Sequence, residues 1–300
     1  MTKIIVLGIL SSVSLLMCAA DDCSALRAEL RAYYPDWGQG ENDVVKDPRQ
    51  PESYKKIEAD LAAYCAAHPD YDALDVRREC YLSMRKHFVP FLFGESPFYF
   101  EAGVNGGWGG ARPARLVEKI CRHFYRTQSL IPDEAFELQQ NRERNCLALC
   151  CGTFSDSIHH TPPLTRILEI GFKGVRDRVA DALEKCPADD PHGRKELETA
   201  LVGLDTIHEI QLKFAEEARR LLAARGRAGN VSGAPRAPEE GRRLERIAEA
   251  AQRCPWEPPR TFFEKLNTLW FVREALGYVD GVSIYALGRP DAWFIDDYRR

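Results

Sequence analysis

Apolar residues three and four apart dominate this chain. In "YKKIEADLAAYCAAH", Ile57, Leu61 and Cys65 fall four apart and draw one apolar stripe along a helix. "DALDVRRECYLSMRKHFVPFLF" carries the same period until Pro90 breaks it. The longest run places Leu197, Leu201, Leu204, Ile207, Gln211, Phe214, Ala218 and Leu221 at spacings of three and four. That pattern predicts a helix of about seven turns with one buried side. Further helices are predicted over 24–33, 113–129, 133–151, 164–186 and 239–253. Another starts after Thr261, with Glu264 three residues on as a capping box, and runs through Leu276. Only one segment, 282–287, alternates convincingly as a strand.

The breaks between helices differ in character. "FGESPFYFEAGVNGGWGGARP" is rich in glycine and aromatic residues and poor in charge. Glycine lets the backbone approach other groups closely, so this loop predicts buried architecture or the wall of a site. It is not a phosphate loop, because no Gly-Lys-Ser/Thr follows and no dinucleotide spacing is present. "CGTFSDSIHHTPP" reads as an interruption between helices. "CPWEPPR" ends a helix, since prolines remove backbone donors and restrict the residue before them.

The N-terminus has a separate pattern. Lys3, an apolar run from Ile4 to Met17, then Cys18-Ala19-Ala20 and Asp21-Asp22 give residues 1–20 the form of a signal peptide. The run is short for a transmembrane helix. A buried N-terminal helix and a lipoprotein acylated at Cys18 are the other readings. After cleavage no membrane span is expected. Residues 21–53 read as an irregular lead-in and 54–300 as the main body.

Composition changes this picture little. Apolar residues at 45% and charged ones at 29% suit a globular core, and a net charge of −4 gives no reason to expect a nucleic-acid partner. The ten cysteines include no Cys-x-x-Cys motif, and most fall in helical patterns as small core residues. Cys146, Cys150 and Cys151 share one helix face, compatible with packing or with a metal. Mainly helical content with one late strand suits the outer layer of a larger α/β structure.

Two late segments then carry a resemblance. Pro258-Pro259-Arg260-Thr261-Phe262, the Leu269-Trp270-Phe271 helix, and the strand Ser283 to Leu287 followed by Gly288, Arg289 and Asp291 resemble the glycyl radical enzymes, the pyruvate formate-lyase family. Upstream, "HHTPPLTRILEIGFKGV" is similar to the family's His-Thr-x-Pro segment and helix, and "SPFYFEAGVNGGWG" to its Gly-rich loop. The resemblance covers about residues 75–300.

It implies a fold that is mainly α: a helical N-terminal lobe plus the first strands of a ten-stranded α/β barrel, truncated. It implies a radical C–C lyase, acyltransferase or dehydratase. A separate activating enzyme with S-adenosylmethionine and an iron–sulfur cluster installs a glycyl radical, and a cysteine thiyl then attacks the substrate. No cofactor is expected to bind this chain directly. None of its cysteines occupies the catalytic position and no Arg-Val-x-Gly-Tyr motif occurs, so the chain is expected to be inactive alone, with no catalytic residue and no metal ligand of its own.

The implied partners are a C-terminal half chain, the activating enzyme, a second copy, and a small molecule of unknown identity. On the substrate side the resemblance implies His160, or His159 in the other alignment, and Ser283, each bonding a substrate hydroxyl. A neutral imidazole suits that task because it donates and accepts at once. Arg289 either holds a carboxylate or braces the turn against Asp291. Trp108 and Trp270 read as core. The alternative is an exported, noncatalytic helical binding or structural module derived from this family. The signal-like start favours export, and the family implies a cytoplasmic enzyme.

Overall fold

The computed structural model describes residues 24–33, 49–94, 96–100, 113–114, 116–117, 120, 158–160, 163–228, 237–280, 284–285 and 290–299. The signal-like segment, Trp108, the predicted helix 133–151 and its three cysteines lie outside the described residues.

The helices are α1 (Ser24–Tyr33), α2 (Arg49–Ala67), α3 (Ala73–His87), α4 (Leu164–Glu184), α5 (Pro191–Ala228), α6 (Ala237–Arg253), α7 (Phe262–Val279) and α8 (Pro290–Arg299). The strands are β1 (Ile158–His160) and β2 (Ile284–Tyr285). Two helix starts show why the chain turns helical where it does. Asp72 caps α3 by accepting from the amides of Leu74 at 2.9 Å and Asp75 at 3.0 Å, and the Asp75 carboxylate accepts from the Asp72 amide in return. Thr261 and Glu264 make the same reciprocal box at the start of α7, as their spacing predicts.

The long α5 is the spine. It packs against α6, α3 and α4, and α2 lies on α3. The predicted stripe faces inward: Gln211, Phe214 and Ala218 are fully buried, and so are Ile57 and Leu61 of α2. Aromatic rings fill the centre. Phe214 of α5 meets Phe88 at 5.4 Å and Phe100 at 5.0 Å between centroids, both edge-on, and Phe88 meets Tyr278 of α7 at 5.1 Å. Edge-to-face geometry places positive ring edges over negative faces. The start of the Gly-rich loop is therefore core. Tyr99 and Phe100 are buried, and Arg243 of α6 fixes the strip by donating to the carbonyls of Phe93 at 2.8 Å and Ser96 at 2.9 Å.

Polar ties lock the spine to its neighbours. Lys195, near the start of α5, meets Asp72 at 2.6 Å and Asp75 at 2.7 Å. Burial alone would raise the Asp72 carboxyl, but the Lys195 ammonium and the amides it caps outweigh that and hold it below the usual range. Lys213 donates to the carbonyls of Arg85 at 2.6 Å and Phe88 at 3.0 Å, closing the end of α3. Tyr81 of α3 donates to Asp280, which ends α7, at 2.9 Å.

Two expectations need correction. The segment 164–186 is not one straight helix: α4 breaks at Gly171, whose backbone adopts φ 65°, ψ 175°. "CGTFSDSIHHTPP" is not only an interruption, because Ile158–His160 is a strand. β1 and β2 pair in parallel. Among the described residues no helix is long and apolar enough to cross a membrane.

Candidate functional site

The strand pair brings the segment of His159 and His160 beside the segment of Ile284 and Tyr285. Each strand feeds a helix: β1 leads through Pro163 into α4, and β2 leads into α8, which opens on Pro290 at its first helical position. Trp293 of α8 donates its indole N–H to Thr165 Oγ1 of α4 at 3.1 Å, so the two strand–helix units lie side by side. Lys265 of α7 meets Asp297 of α8 at 2.5 Å, and the rings of Phe262 and Phe294 pack edge-on at 5.2 Å.

Ile158 pairs with Ile284, and His160 pairs with Tyr285. The register shifts between the two pairs, so two steps along β1 match one along β2. His159 and His160 are thus both in β1, with His160 paired to β2 and His159 the step between the two pairs. Ser283, one position before β2 in the chain, and Arg289 lie outside the described residues. Their predicted roles, and the brace to Asp291, fall there too.

One turn, after α6, ties α4 and α5 to the start of the step toward α7. α4 breaks at Gly171 because the amides of Phe172 and Lys173 leave the helical ladder. They donate to the carbonyls of Pro255 and Trp256, each at 2.9 Å. A β-carbon on Gly171 would lie 2.2 Å from the Trp256 oxygen, so the close approach requires glycine. The turn begins with a cis Cys254–Pro255 peptide. Fully buried Gln211 spans it, donating to the Ala251 carbonyl at 3.0 Å and accepting from the Trp256 amide at 2.8 Å. The Tyr99 hydroxyl donates to the Cys254 carbonyl. His208 stacks on the Trp256 indole at 3.9 Å with the rings 6° from parallel. Burial lowers the His208 imidazole; nearby Asp205 and Glu209 oppose that and Arg176 adds to it.

The turn leaves toward α7 through ionic contacts. Arg253 reaches Glu257 at 2.6 Å and Glu264 at 3.1 Å, and its guanidinium also donates to the Pro258 carbonyl at 3.3 Å. Burial would raise Glu264, but the amides of Arg260 and Thr261 and the Arg253 charge prevail and lower it. The Pro-Pro-Arg-Thr-Phe step is therefore a joint. Sequence reasoning missed Gly171, Gln211 and His208 as parts of it.

Trp270 is also structural. Its indole N–H donates to the Phe100 carbonyl at 2.9 Å, its ring stacks on Phe98, and the Arg273 guanidinium lies 5.0 Å from its centroid. Cys80 and Cys254 are buried, and burial raises both thiols, Cys254 up to about 12. They are protonated at neutral pH and pack as core residues. Among the described residues no cluster of His, Cys, Asp and Glu has the form of a metal site.

A helical lobe whose α4 and α8 each follow a strand of one parallel pair is a mixed α/β arrangement. The family described as "Pyruvate formate lyase-like" matches residues 122–298. The chain belongs to this family, which is that of the glycyl radical enzymes. The "Probable dehydratase YbiW" of Escherichia coli strain K12 is 24% identical over 197 residues, 62% of this chain and 22% of that protein. The solved B12-independent glycerol dehydratase of Clostridium butyricum, in its glycerol-bound form, superposes with a TM-score of 0.55 at 11% identity, covering 87% of this chain and 37% of that one. Hydroxyproline dehydratase of Clostridioides difficile, with trans-4-hydroxy-L-proline bound, gives a TM-score of 0.55 at 13% identity, covering 85% and 37%. At these identities the likeness shows the fold. The chain spans well under half the length of each.

Proposed function

We propose that this chain is the N-terminal portion of a glycyl radical dehydratase: the helical lobe and first strands of the ten-stranded barrel, carrying the side of the site that holds a substrate hydroxyl. The observation that carries this is the parallel pairing of β1, with His159 and His160, to β2, the strand entered from Ser283. In this reading His160 and Ser283 bind the substrate hydroxyl and Arg289 braces the rim. His159 is the alternative to His160. The names of the structural neighbours supply the substrate class, small molecules bearing a hydroxyl on saturated carbon.

The radical glycine and the thiyl cysteine would come from outside these 300 residues. Once installed, the glycyl radical supplies hydrogen-atom abstraction; this chain's residues bind and orient the substrate. The test is anaerobic reconstitution. The chain, alone and together with the polypeptide that continues the barrel, is incubated with the cognate activating enzyme and examined by electron paramagnetic resonance. A glycyl doublet is expected only from the completed assembly, with dehydration of glycerol or trans-4-hydroxyproline. A doublet from the 300 residues alone overturns the division of labour.

A second reading, an exported noncatalytic module, rests on the pattern of residues 1–20. Mass spectrometry of the cellular protein separates the two, since an intact Met1–Ala20 removes export.

A further inference from the structure

Side chains hold α8 on two sides. On α7, Phe262 and Lys265 are three positions apart, and on α8 their partners Phe294 and Asp297 are three apart as well. Positions three apart lie one turn along the same helix face. The two contacts therefore stack along one seam, and they fix the direction of α8 as well as its distance from α7. Trp293, next to Phe294 on α8, reaches the other way to Thr165 of α4 at 3.1 Å. The ion pair is the most sheltered of these contacts: the Lys265 and Asp297 side chains are 25% and 17% exposed and meet at 2.5 Å. Phe262 is 48% exposed, and Thr165 lies at the surface. The strands, by contrast, have little of their own to hold them. They pair at two positions with a register shift between. A two-stranded unit is marginal in water, and parallel pairing is slightly weaker than antiparallel.

We propose that Asp297 is a positioning residue: its ion pair with Lys265 fixes α8, and through α8 it keeps β2 against β1. α4 begins shortly after His160 and α8 shortly after Tyr285, so whatever fixes these helices fixes the strands that precede them. Hydrogen bonds between ionised partners are about twice as strong as neutral ones. Removing one partner from a sheltered pair also leaves the other charge uncompensated. The strand pairing is thus a consequence of the helix seam. This role rests on the proposed function only for what the strands serve; the seam itself is independent of it.

The test is amide hydrogen exchange on the full 300-residue chain, with no substrate and no partner present. Amides of β1 and β2 report the parting of the strands, and those of the fully buried Ile210 and Phe214 report global unfolding. Asp297→Asn is expected to lower strand protection about tenfold, the scale of one charge-assisted hydrogen bond. An ion pair that held α8 without holding the strands would persist when they part, so unchanged strand protection overturns the role. Lys265→Met is expected to lower strand protection alike, and Lys265→Met with Asp297→Asn no further, because either change alone breaks the pair. Additive losses overturn the pair as the cause. Lys195→Met breaks an ion pair between α5 and α3 instead. It is expected to lower the protection of Ile210 and Phe214 and to leave the strands as they are. An equal fall in the strands would mean that they open only with the whole chain, and the positioning role fails. Absence of a glycyl doublet or of dehydration in the reconstituted assembly would remove the proposed function and leave each of these outcomes standing. Unchanged far-ultraviolet circular dichroism confirms that each variant is folded.

Discussion

Gly171 and Trp256 meet backbone to backbone: a β-carbon on the glycine would fall 2.2 Å from the tryptophan's carbonyl oxygen. The contact breaks α4 and seats the turn between α6 and α7. Gly171→Ala must both relieve that clash and adopt φ 65°, ψ 175°, a region that side chains avoid. We expect a loss of at least about 2 kcal/mol, read as a lower urea midpoint with an unchanged slope. Gly241→Ala in α6 provides the control, because a β-carbon there would meet no atom within 4 Å.

Gln211 joins α5 to the same turn through two backbone groups and is fully buried. Gln211→Leu keeps approximate volume but leaves the Ala251 carbonyl and the Trp256 amide unpaired. Each such group costs about 1–3 kcal/mol. Gln211→Glu retains an acceptor for Trp256 but loses the donor to Ala251. Chemical denaturation should rank wild type first, with both variants clearly less stable.

The His208–Trp256 stack makes stability depend on pH. Burial favours the neutral imidazole in the folded chain, so its value lies below the ordinary 6.5. As pH falls through that ordinary value, the unfolded chain takes up the proton first, and stability falls until the folded value is passed. His208→Phe keeps a ring on the indole and removes the titration. Between pH 7 and pH 5 the unfolding midpoint of wild type should drop more than that of the variant; parallel profiles would contradict this.

The Lys195 clamp on Asp72 and Asp75 has its effect at lower pH. The Asp72 carboxyl is held below its ordinary value, so its contribution is complete above the carboxylate range and disappears as pH falls through its folded value. These groups are partly exposed, so Lys195→Met should cost only about 0.5–1 kcal/mol near neutrality. The difference from wild type should shrink toward zero in acid. A constant difference down to pH 2 would show that packing, not charge, carries it.

Much of the scaffold was legible because its signals are local. Thr261 and Glu264 announce α7 within four residues, and the apolar stripe from Leu197 to Leu221 announces α5 by repetition. Pro90 and the prolines after Cys254 mark real breaks. The misses are of another kind. β1 is three residues long and two of them are histidines, so it has no apolar alternation to detect. Gly171 lies in a pattern that stays helical on both sides, and its kink is decided by carbonyls more than eighty positions away in the chain. Gln211 sits within an apolar stripe and reads as one more helical position until its buried partners are seen. For the candidate site, the family motifs indicate His160 and Ser283, but only pairing between distant segments shows that β1 lies against β2.

That pairing has a kinetic consequence. Between His160 and Ile284 the chain runs through all of α4, α5, α6 and α7. Bringing such distant segments together requires closing a large loop, and its entropic cost precedes any gain from the few bonds of two short strands. The helices, with their near-neighbour contacts, are therefore expected to fold first and the strands to join last. In reverse, mild denaturant should separate β1 from β2 while the aromatic centre stays protected against hydrogen exchange. The strand pair is thus expected to be the last part of this lobe assembled and the first released.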